Sequence, residues 1–174
     1  STTLPAGYRV QVVFPPAAEQ GIVAFSIRKQ TVMNLDLEAY EALGAFQDTK
    51  VKKLENIYDK ELRALLDQGQ IREFLTKAVL YKKNIIVSGG TSTGKTTFFN
   101  AVIKKIPLSE RVITCEDARE IDLQHLPNKV HLVASKGGQG RAKVSIQDLI
   151  EACLRLRPDR IRTQTQTRFN QILY

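Results

Sequence analysis

The stretch that decides the fold is Asn84-Ile85-Ile86-Val87-Ser88-Gly89-Gly90-Thr91-Ser92-Thr93-Gly94-Lys95-Thr96. Its first part is a continuous β-branched run, the pattern of a strand buried on both faces. Its second part fits G-x-x-x-x-G-K-[ST] without a mismatch. A helix is predicted from Thr96 to Lys105, closed by Pro107. Triphosphate oxygens need several backbone N–H groups aimed into one concavity. Glycine tolerates the required φ values and lets the backbone come close. The helix adds unpaired N–H groups and a positive dipole end. Lys95 is expected to reach the β- and γ-phosphates of ATP, and the Thr96 hydroxyl to ligate Mg²⁺. A chance Gly/Ser/Thr turn would lack the apolar strand before it and the helix after it.

Working outward, Arg111–Cys115 and Lys129–Ala134 read as further strands, and Val144–Leu156 as a helix stopped by Pro158. Ile146, Leu149, Ile150 and Leu154 form its apolar stripe. Strands alternating with helices predict an α/β fold with a parallel sheet. At the end of Arg111–Cys115 stands Thr114-Cys115-Glu116-Asp117-Ala118-Arg119-Glu120. In such sheets ligands lie beyond the carboxyl ends of the strands. Glu116, Asp117 and Glu120 are therefore candidates for meeting Mg²⁺ or its waters, and one of them for handling the attacking water. A solvated acidic turn is the plainer reading.

Upstream, Tyr8–Phe14 and Ile22–Ile27 read as an antiparallel pair that needs a larger sheet. Residues 30–69 look like a connector. Within it Leu54, Ile57, Tyr58, Leu62, Leu65 and Leu66 mark an amphipathic helix, and a second helix runs from Ile71 towards Lys82-Lys83. The 174 residues carry a net charge of +8. Residues 135–174 hold eight basic and three acidic side chains. Such a basic end suits phosphate, nucleic acid or an anionic membrane surface without choosing among them. Aromatics are not interleaved with the basic residues, so a nucleic-acid ligand is not supported. No apolar run approaches the roughly 18 residues of a membrane span, no secretory signal is visible, and two cysteines make no disulfide framework.

In order and spacing these segments resemble the traffic ATPases of bacterial type IV secretion systems. The resemblance covers about residues 7–161. Gly89–Thr97 matches Walker A, which adds Thr97 to the nucleotide set. Thr114–Glu120 matches the family's Asp box, and Leu154-Arg155-Leu156-Arg157-Pro158-Asp159-Arg160-Ile161 matches the approach to Walker B. Arg9 and Arg28 look like the arginines that the family's N-terminal domain offers to the nucleotide. The resemblance implies a partial RecA-like P-loop ATPase core preceded by the end of a small α+β N-terminal domain. The expected division is 1–29 for N-terminal strands, 30–69 for a linker, 70–161 for the first half of the core and 162–174 for an unassigned tail. The long connector resembles that of the subgroup in pathogens and symbionts. The family further implies a homohexameric ring that works with other secretion components on the cytoplasmic face of a Gram-negative inner membrane.

The sequence departs from the family after Ile161. Arg162 to Tyr174 contains neither carboxylate nor histidine, so the Walker B glutamate and the His box have no counterpart. The Thr/Gln alternation reads as a shifted frame, an artificial end, a joined segment or a genuine edge strand. His125 and His131 are expected to be ordinary surface or core residues. Three functions remain open: a motor ATPase, an ATP-binding assembly subunit that hydrolyses poorly, and a small phosphotransferase, although no lid-like arginine segment supports the last. Arg141, Arg155 and Arg157 are either a basic face or contacts to a neighbouring subunit. The loop Ser135–Arg141 is either a mobile loop or a contact region.

Overall fold

A computed structural model describes residues 1–29, 35–47, 49, 56–90, 92–135, 143–164 and 170–173. Thr91, Leu54 and Lys136–Arg141 lie outside them, as do residues 165–169. Strand β1 (Thr2–Thr3) pairs antiparallel with β2 (Arg9–Val13), and β2 pairs antiparallel with β3 (Ala24–Arg28). Directly opposite residues share a face. Val13 and Ala24 form the buried end of one face; Val12 and Phe25 lie on the exposed other face.

Helix α1 (Leu37–Ala42) is capped by Asp36, whose carboxylate accepts the Ala39 N–H at 2.8 Å. Helices α2 (Ile57–Asp67) and α3 (Ile71–Leu80) follow. Of the predicted stripe on α2 only Leu62 is buried, and Ile57 is 79% exposed. Instead α2 is fastened to α3 by side-chain chemistry. The Tyr58 and Tyr81 rings stack at 4.3 Å, Glu61 accepts the Tyr81 hydroxyl, and Lys77 pairs with Glu61 at 3.1 Å.

The core sheet contains β4 (Ile85–Ser88), β5 (Val112–Glu116), β6 (Lys129–Val133), β7 (Arg160–Gln164) and β8 (Asn170–Leu173), in the order β4-β8-β7-β5-β6. Helix α4 (Lys95–Ile103) follows β4, and α5 (Ile146–Arg155) follows β6. β5 runs parallel to β6 and β7, whereas β8 runs antiparallel to both β4 and β7. The fold is thus α/β with a parallel core, and it corrects three expectations. Among the described residues β4 pairs with β8 alone, and it is not buried on both faces: Ile86 is 61% exposed. Thr163 and Gln164 of the Thr/Gln stretch end β7, and the last residues supply β8; among the described residues both are interior strands rather than an edge. On α5 the buried stripe passes through Leu149 and Cys153, and Leu154 is 65% exposed.

Every residue of β5 is buried, and its alternation feeds two cores. Ile113 and Cys115 pack with Val130, Leu132, Leu149, Cys153 and Leu156 under α5. Val112 packs with Phe99, Val102, Ile103 and Leu126 under α4. The N-terminal sheet joins the first core through Val13, Ala18 and Ala24, and Ala18 bridges Leu132 on β6. It therefore sits at the edge opposite β4. Four interstrand spacings separate those edges, about 19 Å. Among the described residues no helix is long and apolar enough to cross a membrane.

Candidate nucleotide site

The loop between β4 and α4 is built for close approach. Gly94 adopts φ 80° and Ser92 φ 59°. A Cβ on Gly89 would fall 2.9 Å from the Thr93 hydroxyl oxygen, so any other residue there would displace that hydroxyl. The Thr93 hydroxyl donates to the Gly90 carbonyl at 2.9 Å, and the Lys95 ammonium donates to that same oxygen. This pins the ammonium over the loop. Gly94 is the N-cap of α4 and offers no side-chain cap. The leading N–H groups of α4 are thus left to an anion. Thr97 lies exposed in the first turn.

The acidic segment after β5 meets the head of α4. The Thr96 hydroxyl donates to Glu120 Oε2 at 3.0 Å. One turn further on, Asn100 clamps the same loop: its Nδ2 donates to the Glu120 carbonyl at 3.3 Å, and its Oδ1 accepts the Asp122 N–H at 3.2 Å. The sequence reading missed Asn100, although the i, i+4 spacing from Thr96 puts both on one face. A hydroxyl and a carboxylate beside a phosphate cradle form a donor set that suits Mg²⁺, which takes one or two protein oxygens and completes its shell with phosphate and water. Among the described residues no group of three or more His, Cys, Asp or Glu could hold a metal ion.

Glu116 behaves differently from the other two acids. It is fully buried, and its Oε2 accepts the Glu120 and Ile121 N–H groups at 2.8 and 3.1 Å. Its Oε1 lies 3.3 Å from His131 Nδ1, and Arg162 Nη1 lies 3.6 Å from Oε2. The carboxylate is spent on organising the turn that carries Glu120. Burial by itself pushes its pKa up, but the hydrogen bonds from His131, Thr114 and the Glu120 N–H, together with the Arg162 charge, outweigh burial and hold it below the ordinary value. Burial pulls the Arg162 pKa down, and Glu116, Glu120 and Asp117 act against that. The buried Arg162 guanidinium thus lies against Glu116 and feels the charges of Glu120 and Asp117.

The sequence reading did not foresee this cluster. Parallel register sets His131, Thr114 and Arg162 abreast on β6, β5 and β7. The Thr114 hydroxyl lies 3.0 Å from His131 Nδ1. Arg162 also stacks over Phe99 of α4, 5.4 Å from the ring centroid. His131 is thus a core residue, one of the two roles expected of it, and it touches the acidic segment.

Arg9 and Arg28 are not brought to the phosphate loop. They face one another across β2 and β3 and line a cleft with Arg155 and Arg157. The N-terminal unit does reach the acidic segment by another route: Glu19 pairs with Arg119, and the Ala17 carbonyl accepts the Val133 N–H at 2.9 Å.

The chain is similar to known proteins over most of its length. A family model described as Type II/IV secretion system protein matches residues 24–162. The type IV secretion system protein VirB11 of Bartonella quintana is 38% identical over 177 residues, covering 94% of this chain and 49% of the relative. VirB11 of Brucella suis is 38% identical over 164 residues, covering 92% and 45%. The crystal structure of the VirB11 ATPase from the Brucella suis type IV secretion system in complex with sulphate superposes with a TM-score of 0.82 at 36% identity, covering 92% of this chain and 48% of that one. The chain spans about half the length of the relatives it matches.

Proposed function

Because the chain belongs to the type II/IV secretion system protein family, we propose that it is part of a traffic ATPase that binds ATP and Mg²⁺ and couples hydrolysis to type IV secretion. The observation that carries this reading is the Thr96–Glu120 contact at the mouth of the glycine loop. It sets a hydroxyl and a carboxylate beside Lys95 and the head of α4. When bound, Mg²⁺ neutralises phosphate charge. Lys95 supplies the compensating cation, the α4 N–H groups orient the phosphates, and Glu120 fixes the Thr96 rotamer. Gly89, Gly90, Thr91, Ser92, Thr93, Gly94 and Thr97 complete the cradle. Asp117 and Glu120 are the acids proposed to orient water; Glu116 positions the turn that bears Glu120.

In this reading the chain acts in a homohexameric ring, on the cytoplasmic face of a Gram-negative inner membrane, with other type IV secretion components as partners. ATP turnover measured together with oligomer mass tests it: a ring that hydrolyses ATP is expected, and a monomer that phosphorylates an added small molecule would refute it. One observation favours a second reading, an ATP-binding subunit that hydrolyses poorly. The described part of β7 carries Arg160 and Arg162 and no carboxylate, and Arg162 faces Glu116 at 3.6 Å. A strand without a carboxylate supplies no general base of its own to the site. A ring without turnover would decide for that reading.

A further inference from the structure

His131 is out of character with its place in the middle of β6. Val130 and Leu132 on either side are buried apolar residues, and His131 itself is 2% exposed. Its Nδ1 faces the Thr114 hydroxyl at 3.0 Å and Glu116 Oε1 at 3.3 Å. An ionised carboxylate only accepts hydrogen bonds, so Nδ1 carries the proton. Nε2 is buried and has no hydrogen-bond partner among the described residues. A buried nitrogen left unmet costs stability, and an apolar side chain at this position would avoid that cost. Packing alone does not call for an imidazole here.

What Nδ1–H holds is a carboxylate whose other oxygen builds the acidic turn. Glu116 Oε2 accepts the Glu120 and Ile121 N–H groups at 2.8 and 3.1 Å. Glu120 Oε2 in turn accepts the Thr96 hydroxyl at 3.0 Å. The last torsion of a glutamate is broad and roughly two-fold. A hold on one oxygen lets the carboxylate swing about it, whereas a hold on both fixes its plane. His131 supplies the hold on Oε1. Register makes this possible: His131 stands opposite Thr114, and Glu116 follows Thr114 by two residues on the same face of β5.

We infer that His131 is a positioning residue for the Mg²⁺–ATP site: through Nδ1–H it fixes the Glu116 carboxylate, which fixes the turn that presents Glu120 to Thr96. This rests on the reading of the Thr96–Glu120 contact as a nucleotide site. The described hydrogen-bond partners of His131 are Thr114 and Glu116, not Thr96, Lys95 or Glu120, so its effect reaches the glycine loop through Glu116. The chemistry asked of position 131 is a donor at the Nδ1 distance. Asparagine carries an amide N–H at that distance from the backbone. Glutamine carries it one bond further out, at the distance of Nε2.

The test uses the 174-residue chain and measures ATP affinity by calorimetry with Mg²⁺ and in EDTA, beside urea unfolding of the same samples. His131→Leu is expected to weaken ATP binding about fivefold with Mg²⁺, the worth of one hydrogen bond, and to leave affinity in EDTA unchanged. His131→Asn is expected to bind as the parent does, and His131→Gln to behave like His131→Leu. A merely structural histidine would shift the unfolding midpoint without moving the Mg²⁺ increment, and that result overturns the inference. Equal losses with Mg²⁺ and in EDTA overturn it too. If His131→Leu does not fold, His131→Asn and His131→Gln decide, and equal Mg²⁺ increments in those two overturn the inference. A parent chain that gains no ATP affinity from Mg²⁺ refutes the nucleotide reading and this inference with it. A parent that gains it, beside a His131→Leu chain that gains as much, refutes this inference alone.

Discussion

The Thr96 hydroxyl and the Glu120 carboxylate stand 3.0 Å apart, and this contact ties the head of α4 to the loop after β5. Glu120→Gln keeps a hydrogen-bonding group but removes the charge. ATP affinity with Mg²⁺ is expected to fall about tenfold, the worth of one charge-assisted bond. Affinity in EDTA is expected to change little. Equal losses with and without Mg²⁺ would show that Glu120 serves the loop's shape alone.

Lys95 supplies the ammonium at the loop, held by the Gly90 carbonyl. Lys95→Ala is expected to weaken ATP binding at the loop about a hundredfold, measured as competition by ATP against a fluorescent nucleotide whose signal requires the loop. Undiminished affinity in that assay would remove the phosphate reading.

Glu116 gives the protein an acid-sensitive joint. Its folded pKa lies below the ordinary carboxylate value. Its contribution to stability is therefore complete above about pH 4.5 and is lost as pH falls through the folded value. Glu116→Gln is expected to flatten the fall in urea-unfolding stability below that pH. A variant with the same acid slope as the parent would show that the carboxylate titrates alike in both states.

Arg160 is 2% exposed and bonds Glu110 through Nε at 2.5 Å and Nη2 at 3.4 Å. Glu110 precedes β5 and Arg160 opens β7, so this pair fixes the entry of two neighbouring strands. Glu110→Ala leaves a buried guanidinium without its carboxylate and is expected to cost about 3 kcal/mol. Equilibrium denaturation reads this directly, and a loss below about 1 kcal/mol would mean that water or Asp159 takes over.

Much of the site was legible because its determinants are local. Gly89–Thr96 names the strand, the turn and the helix within thirteen residues of Asn84, and side-chain chemistry there follows from spacing. The acidic segment was legible as a cluster, yet the different fates of Glu116 and Glu120 were not. Which acid is buried depends on register: Glu116 still belongs to β5 and points into the α4 core, whereas Glu120 lies beyond the strand. The His131–Thr114–Arg162 row was invisible for the same reason, since it needs three strands aligned whose order in space differs from their order in sequence. Leu154 and Cys153 show the limit of periodicity. One residue of rotation separates a core position from an exposed one, and the thiol, small and apolar, fits the core as well as leucine would.

The insertion of β8 between β4 and β7 has a mechanical meaning. Among the described residues of the sheet, the strand that presents the glycine loop is laddered to Asn170–Leu173 and to no other strand. Load applied at the loop reaches β7, β5 and β6 through those four residues or around the sheet through α3 and α4. Residues 170–173 are thus a coupling rod: shortening or loosening them would detune the loop from β7, β5 and β6 while leaving the residues of the loop chemically intact.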